Sequence, residues 1–268
     1  MTLLEKYYNK FNEDHRLTTR HGIVEFSTSL SFIRRVIDGR KNLKILDLGC
    51  GTGRYSIELC RDSHDVTAVE PVLRNLEVLR SKHENIKTWN GNALNLHFLD
   101  DGVFDIVIMF GPMYHLHTQE ERLVAFSEAK RVLKSDGHIF ASYIMNEYAV
   151  IKYCFGEGKI EECLLNNSLT EDFHCVTKEN DLYSYLRISD IDELNLKSGL
   201  KSVMRFAQDG PADYMRRELN AMSEKTFSTF LKYHLSTCEM PELLGASSHV
   251  VDVLQKKFIP AFPLFVLF

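Results

Sequence analysis

Between residues 44 and 145 the chain alternates short, nearly continuous apolar runs with longer segments whose apolar positions recur every three or four residues. The runs KILDL (44–48), DVTAVE (65–70), FDIVIMF (104–110) and GHIFASYIM (137–145) predict strands, with a weaker strand at IKTWN (86–90). Segments 53–61, 71–83 and 118–134 have the helical period and predict amphipathic helices. Strands that are apolar on both faces and separated by helices belong to a parallel sheet covered on both sides, with right-handed crossovers. The expectation is a doubly wound α/β domain.

On either side the rhythm changes. Residues 2–15 and 22–37 read as two amphipathic helices, punctuated by His21-Gly22. After Asn146, residues 147–170 look helical and 171–186 suggest a short strand pair. A crossover helix at 188–199, a strand at 200–208, helix at 211–235 and a final strand at 247–255 follow. This divides the chain into N-terminal helices (1–43), the α/β domain (44–257) and an apolar tail (258–268). Within the domain, 147–187 and 209–240 are expected to be lid-like insertions. The tail, FIPAFPLFVLF, is too short to cross a bilayer; it reads as a strand or extended segment docked on the body or as a sequence irregularity, weighed against a membrane or partner anchor.

Composition narrows the partners. The net charge is −5 and no dense block of lysine or arginine occurs, which argues against an extended nucleic-acid partner. Six cysteines without a CxxC pair, no signal-like N-terminus and no membrane-length apolar run point to a reduced, cytoplasmic protein away from the membrane. Nothing in the composition speaks to oligomeric state.

The chemistry concentrates in ILDLGCGTGRYSIEL (45–59), where Gly49, Gly51 and Gly53 follow a strand and open a helix. Glycines there allow positive φ and a close backbone approach by a ligand, at the strand end where open α/β sheets bind ligands. The dinucleotide pattern G-x-G-x-x-G fails, because its third glycine would fall on Arg54. The observed D-x-G-x-G-x-G instead resembles motif I of class I S-adenosylmethionine-dependent methyltransferases. The resemblance runs closely over 44–145. The flanks, with YYNKF near the start and GPMYHL after the fourth strand, resemble a group of small bacterial methyltransferases.

That resemblance implies a Rossmann-like, doubly wound, mostly parallel seven-stranded sheet with helical lid insertions, and S-adenosyl-L-methionine as cofactor. It places the cofactor against Asp47, Gly49, Cys50, Gly51 and Gly53, with Asp47 near the ammonium group. Glu70, followed by Pro71, would accept the ribose hydroxyls from a strand end where its carboxylate can meet solvent. Asn92 stands where the family usually has aspartate, and with Ala93 would meet the adenine. Phe110 would complete the wall, and Tyr7, on the first helix, would close over it. Arg16 and Arg20 are candidates for the cofactor carboxylate.

The loop after the fourth strand, FGPMYHLHT (110–118), offers the reaction chemistry. Amino-methylating nucleic-acid enzymes carry D/N/S-P-P-Y/F there, but Gly111 has no side-chain acceptor, which favours a small-molecule acceptor. His115 is a candidate general base, weighed against a role in holding the loop, and Tyr114 is a candidate substrate-facing wall. His115-x-His117 lacks further nearby ligands, so no metal site is expected. Two other readings stay open: a nicotinamide-dependent oxidoreductase on a similar sheet, and a non-catalytic cofactor-binding or partner-binding module.

Overall fold

The computed structural model describes residues 3–10 and 13–257, so the apolar tail at 258–268 lies outside the described residues. Eight strands form one sheet: β1 (Lys44–Leu48), β2 (Asp65–Glu70), β3 (Lys87–Asn90), β4 (Phe104–Met109), β5 (Leu133–Met145), β6 (Tyr185–Leu186), β7 (Leu200–Ala207) and β8 (His249–Lys256). Seven of them run in the order β3-β2-β1-β4-β5-β8-β7, and the two-residue β6 pairs with the end of β5. Pairing is parallel from β3 through β5, while β8 runs antiparallel to both β5 and β7. The mostly parallel Rossmann-like sheet is therefore present. Its central strands are wholly buried, with Ile45, Leu46, Ile106, Val107 and Ile108 at 0% exposure, which is why they read as unbroken apolar runs.

Strand order reverses between β1 and β4, since β2 lies on one side of β1 and β4 on the other. Chains leaving these two carboxyl ends diverge and leave a crevice. Helix Arg20–Ile37 packs against the far side of the sheet through Phe32, which stacks on Phe206 of β7 at 4.0 Å. Its N-terminus is capped by Thr19, whose hydroxyl accepts from the Gly22 N–H.

Several elements differ from the sequence expectation for identifiable reasons. The first helix is two short pieces, Leu3–Tyr8 and Glu13–Arg16. β5 starts four residues before the expected 137, because Leu133 already pairs with Phe104 ahead of a register shift. The helix expected from 71 begins at Leu73, since the Val72 N–H donates to the Glu70 carboxylate. No strand pair forms in 171–186; Leu169 and Cys175 make one isolated bridge, and Tyr185–Leu186 joins β5 instead. Segment 147–170 divides into Asn146–Ala149, a π-helical turn at Val150–Phe155, and Ile160–Leu165. The helix at 211–235 divides into Arg216–Ala221 and Glu224–Thr237, the second capped by Ser223. Around Ala212, Leu219 and Phe227, this region packs on Val24 of helix Arg20–Ile37.

Candidate functional site

The glycine turn leaves β1 and immediately pins itself to β2: the N–H groups of Gly49 and Cys50 both donate to the Val69 carbonyl. Gly49 has φ +78°, and a Cβ there would lie 2.9 Å from the Pro112 ring. Glycine is required at this point by conformation and by the approach of loop 110–116. Gly53 (φ +83°) caps helix Arg54–Arg61, and a Cβ on it would strike Leu79. The result is a cavity of about 310 Å³ at the carboxyl ends of β1, β2 and β4.

Two acids from adjacent strands define its polar side. Asp47 is buried and accepts from the Ser56 hydroxyl at 2.5 Å; burial pushes its carboxyl up to about 6. Glu70 is only 5% exposed, so the expectation of a solvated carboxylate is corrected. One of its oxygens accepts from Gly51 N–H at 2.8 Å and the other from Val72 N–H at 3.0 Å. These bonds bracket the turn and fix the carboxylate plane. A carboxylate has room for about four acceptor contacts, so this orientation suits a vicinal diol.

Of the residues expected from the sequence, Asp47, Gly49, Cys50 and Gly51 line the cavity, as do Glu70 and Pro71. Asn92, Ala93 and Phe110 complete that side, and Tyr114 and His115 form the opposite end. The Asn92 side-chain oxygen accepts from Leu94 N–H at 2.9 Å, which shapes the turn that presents Ala93. Gly53 is set back behind the wall in its capping role. Tyr7 is corrected: Tyr8 occupies the cavity wall, while Tyr7 packs edge-on against Tyr8 and Tyr183. Successive helical residues differ by about 100° in direction, so only one of two adjacent rings can face inward.

His115 sits in a short helical turn, Pro112–His115. Its Nδ1 is 2.9 Å from the Leu182 carbonyl, which can only accept, so Nδ1 carries the proton. Nε2 then accepts from the Tyr8 hydroxyl at 3.1 Å. Burial drives the imidazole down to about 4, and the ring is neutral at ordinary pH. The same loop is anchored from below: buried Arg122 donates to the Met113 carbonyl and to Ser184 Oγ, that hydroxyl donates to the Leu116 carbonyl, and the Ser184 N–H donates to the Tyr114 carbonyl.

Sequence reasoning did not single out Tyr8, Arg54 or Tyr55, all of which line the cavity. Phe26 and Phe110 contact the Tyr55 ring at 5.0 and 4.9 Å, and its buried hydroxyl faces the side chains of Ser29 and Gln208. Arg16 lines the cavity but holds Glu25 at 2.6 Å. Arg20 turns away to the Leu219 and Met222 carbonyls and to Glu224. Also unforeseen is a buried cluster beside Tyr114, in which ligand-type atoms of Glu25, Asp209 and His249 lie within 4.8 Å of one another. His249 Nδ1 meets Asp209 at 2.8 Å. Burial opposes the charge on His249, but the facing carboxylates of Asp209 and Glu25 outweigh it and raise its pKa. Arg16 holds Glu25, so two ion pairs, Arg16–Glu25 and His249–Asp209, lie side by side.

The donor set fits an adenosyl amino acid: a glycine cradle that a Cβ would fill, a fixed carboxylate for a ribose, and an acid near its amino-acid end. Comparison with known proteins agrees. Residues 45–137 match the family of methyltransferase domains. The chain is 31% identical over 145 residues to the demethylmenaquinone methyltransferase of Staphylococcus aureus, covering 51% of this chain and 55% of that protein. It thus spans about half the length of the curated relatives it matches. Among solved structures it resembles a Thermotoga maritima S-adenosylmethionine-dependent methyltransferase described as a possible histamine N-methyltransferase (20% identity, TM-score 0.55, 95% and 98% of the two chains). The Burkholderia thailandensis 1,6-didemethyltoxoflavin-N1-methyltransferase is similar at 12% identity and TM-score 0.55, over 95% and 87% of the two chains. These two likenesses concern the fold.

Proposed function

Because the chain carries a class I S-adenosylmethionine-dependent methyltransferase domain, we propose that it transfers a methyl group from S-adenosylmethionine to a small-molecule acceptor. The observation that carries this reading is Glu70, held by the amides of Gly51 and Val72 on one edge of the glycine turn, with Asp47 buried on the neighbouring strand. The donor supplies an activated methyl on a sulfonium, and transfer is an in-line displacement. The protein's part is to hold the reactants aligned and to exclude water. Phe110, Tyr55, Tyr114 and Tyr8 give the cavity an apolar, aromatic wall suited to that task.

In this reading His115 fastens loop 110–116 and does not remove a proton, since Nδ1 donates to Leu182 and Nε2 accepts from Tyr8. The N-terminal helices close the site through Tyr8 and Arg16, and segment 147–187 reaches it through Leu182 and Tyr183. A small acceptor is supported by the net charge of −5 and by the small molecules for which the relatives are named. No described helix is long and apolar enough to cross a membrane.

The test is to incubate the purified chain with methyl-labelled S-adenosylmethionine and a size-fractionated cell extract. Label should appear in the small-molecule fraction. Label confined to protein or nucleic acid, or calorimetry showing NAD bound more tightly than S-adenosylhomocysteine, overturns the reading.

A further inference from the structure

Three of the six cysteines, Cys154, Cys163 and Cys175, fall within segment 147–187 and share a small apolar cluster with Val150, Ile160 and Leu169. The chain builds this cluster by folding two short helical pieces back on each other. Cys154 lies in the π-helical turn Val150–Phe155 and Cys163 in helix Ile160–Leu165. Between them Gly158, at φ +67°, reverses the direction, and the Lys159 N–H closes the turn on the Cys154 carbonyl at 2.7 Å. The two thiols meet across this hairpin, with Cys154 Sγ donating to Cys163 Sγ at 3.6 Å. At the other cysteines the sulfur rests on a carbonyl: Cys50 on Gly51, Cys60 on Asn85 and Cys238 on Leu235.

Sulfurs at that distance touch without a bond, and a disulfide needs them to close to about 2.05 Å. Helix Ile160–Leu165 has no buried residue, so little core packing resists that approach. The two thiols also differ in reach. Cys154 is 6% exposed, and burial together with the adjoining Cys163 sulfur pushes its thiol up to about 11. Burial pushes Cys175 up to about 12. Thiols so raised are poor nucleophiles. Cys163 is half-buried on a helix whose Leu164 and Leu165 are exposed, so a small oxidant meets its sulfur first and Cys154 stands behind it.

We propose that Cys163 and Cys154 are a thiol pair that a hydroperoxide oxidises to a disulfide, stapling the hairpin of segment 147–187. The Cys163 sulfur attacks one oxygen of the peroxide. The O–O bond breaks, and the departing hydroxide leaves as water with the Cys163 proton. The Cys154 sulfur then attacks the sulfur of the resulting sulfenic acid. That S–O bond breaks, and the hydroxide it releases takes the Cys154 proton as a second water. Two thiols are oxidised to one disulfide, and one hydrogen peroxide is reduced to two waters. Because the second sulfur is already in contact, the sulfenic acid is resolved before it is oxidised further. The staple lies in the segment that reaches the cavity through Leu182 and Tyr183. Asn146, directly after β5, anchors that segment by accepting from the Cys175 N–H at 2.7 Å. None of this depends on the methyl-donor reading.

The test treats the reduced full chain with an equimolar amount of hydrogen peroxide, blocks the remaining thiols by alkylation, and maps the peptides. Trypsin, cutting after Lys152, Lys159 and Lys178, should release peptides 153–159 and 160–178 joined to each other, and dithiothreitol should separate them. The second peptide also holds Cys175, so the map is repeated in Cys175→Ser, where the joining should persist. Cys154→Ser should strand the sulfenic acid on Cys163, trapped there by dimedone, and Cys163→Ser should lose the cross-link. The unmodified chain carries the decisive map, so the outcome does not hang on the folding of a variant. Peptides that stay separate, joining that disappears in Cys175→Ser, or oxidation of Cys60 or Cys238 ahead of the pair overturns the assignment. A sulfenic acid on Cys154 in Cys163→Ser, with none on Cys163 in Cys154→Ser, overturns the order of attack.

Discussion

At the end of the cavity bounded by residues 47–54, the polar groups come from one strand-to-helix turn and the strand beside it. At the other end, bounded by Tyr8, Tyr114 and His115, they come from segments more than a hundred residues apart, as in the Tyr8–His115 contact with its separation of 107. The first end is made of backbone amides and fixed carboxylates, the second of aromatic rings around a neutral imidazole. A site assembled from local turns is rigid before any ligand arrives. One assembled from distant segments is shaped by whatever packs behind it, here Leu182 and Ser184 under loop 110–116. In the proposed reading, the donor's binding groups lie at the local end and acceptor choice falls to the assembled one.

The sharpest way to break this contrast is Glu70→Ala. It removes the acceptor of two buried amides as well as the diol contact, so S-adenosylhomocysteine affinity should fall by about 1.5–3 kcal/mol with a concurrent loss of thermal stability. Unchanged affinity in a folded variant would show that the local end is not the donor end. Next in size is the acid response of the assembled end. His115 is held near 4 in the folded protein against 6.5 for a free imidazole, so the unfolded chain takes up this proton first as pH falls. Its contribution is complete above about pH 6.5 and is lost on descending toward pH 4, by about 2–3 kcal/mol. Denaturation followed from pH 7.5 to 4.5 should therefore show a smaller acid loss in His115→Asn than in the unmodified chain; equal slopes would refute the neutral, buried assignment.

Gly49→Ala probes the seam between the two ends. Its φ of +78° and the 2.9 Å approach to Pro112 should cost about 1–3 kcal/mol, read as a lower melting temperature together with weaker nucleoside binding. The smallest effect is Tyr8→Phe, which strips one hydroxyl from His115 Nε2 and should cost about 1 kcal/mol. Donor affinity should barely move. If Tyr7→Phe rather than Tyr8→Phe changes the His115 titration, the inward ring has been misassigned.

How much could be read beforehand follows the same division. Strands β1, β2 and β4 were legible because they are buried on both faces, and β1 and β2 fall on the expected boundaries. The acids at the strand ends were legible because strand direction alone places them at the ligand edge. Tyr8 was not, because choosing between adjacent rings needs the rotation of a six-residue helix against its neighbours. Arg54 was visible only as a missing glycine; its stack on Phe26 depends on how helix Arg20–Ile37 lies across the turn.

The sequence by itself determined the parallel core, the glycine turn, the carboxylates beside it and, through them, the class of cofactor. These rest on short-range rules: residue period, φ preference and the fixed polarity of a strand. The tertiary structure alone decided that Glu70 is buried, that the His115 Nδ1–H donates to the Leu182 carbonyl, and that the Arg16–Glu25 and Asp209–His249 pairs lie side by side. Each of those outcomes depends on desolvation and on partners brought from far along the chain, and neither quantity has a local signature in the order of residues.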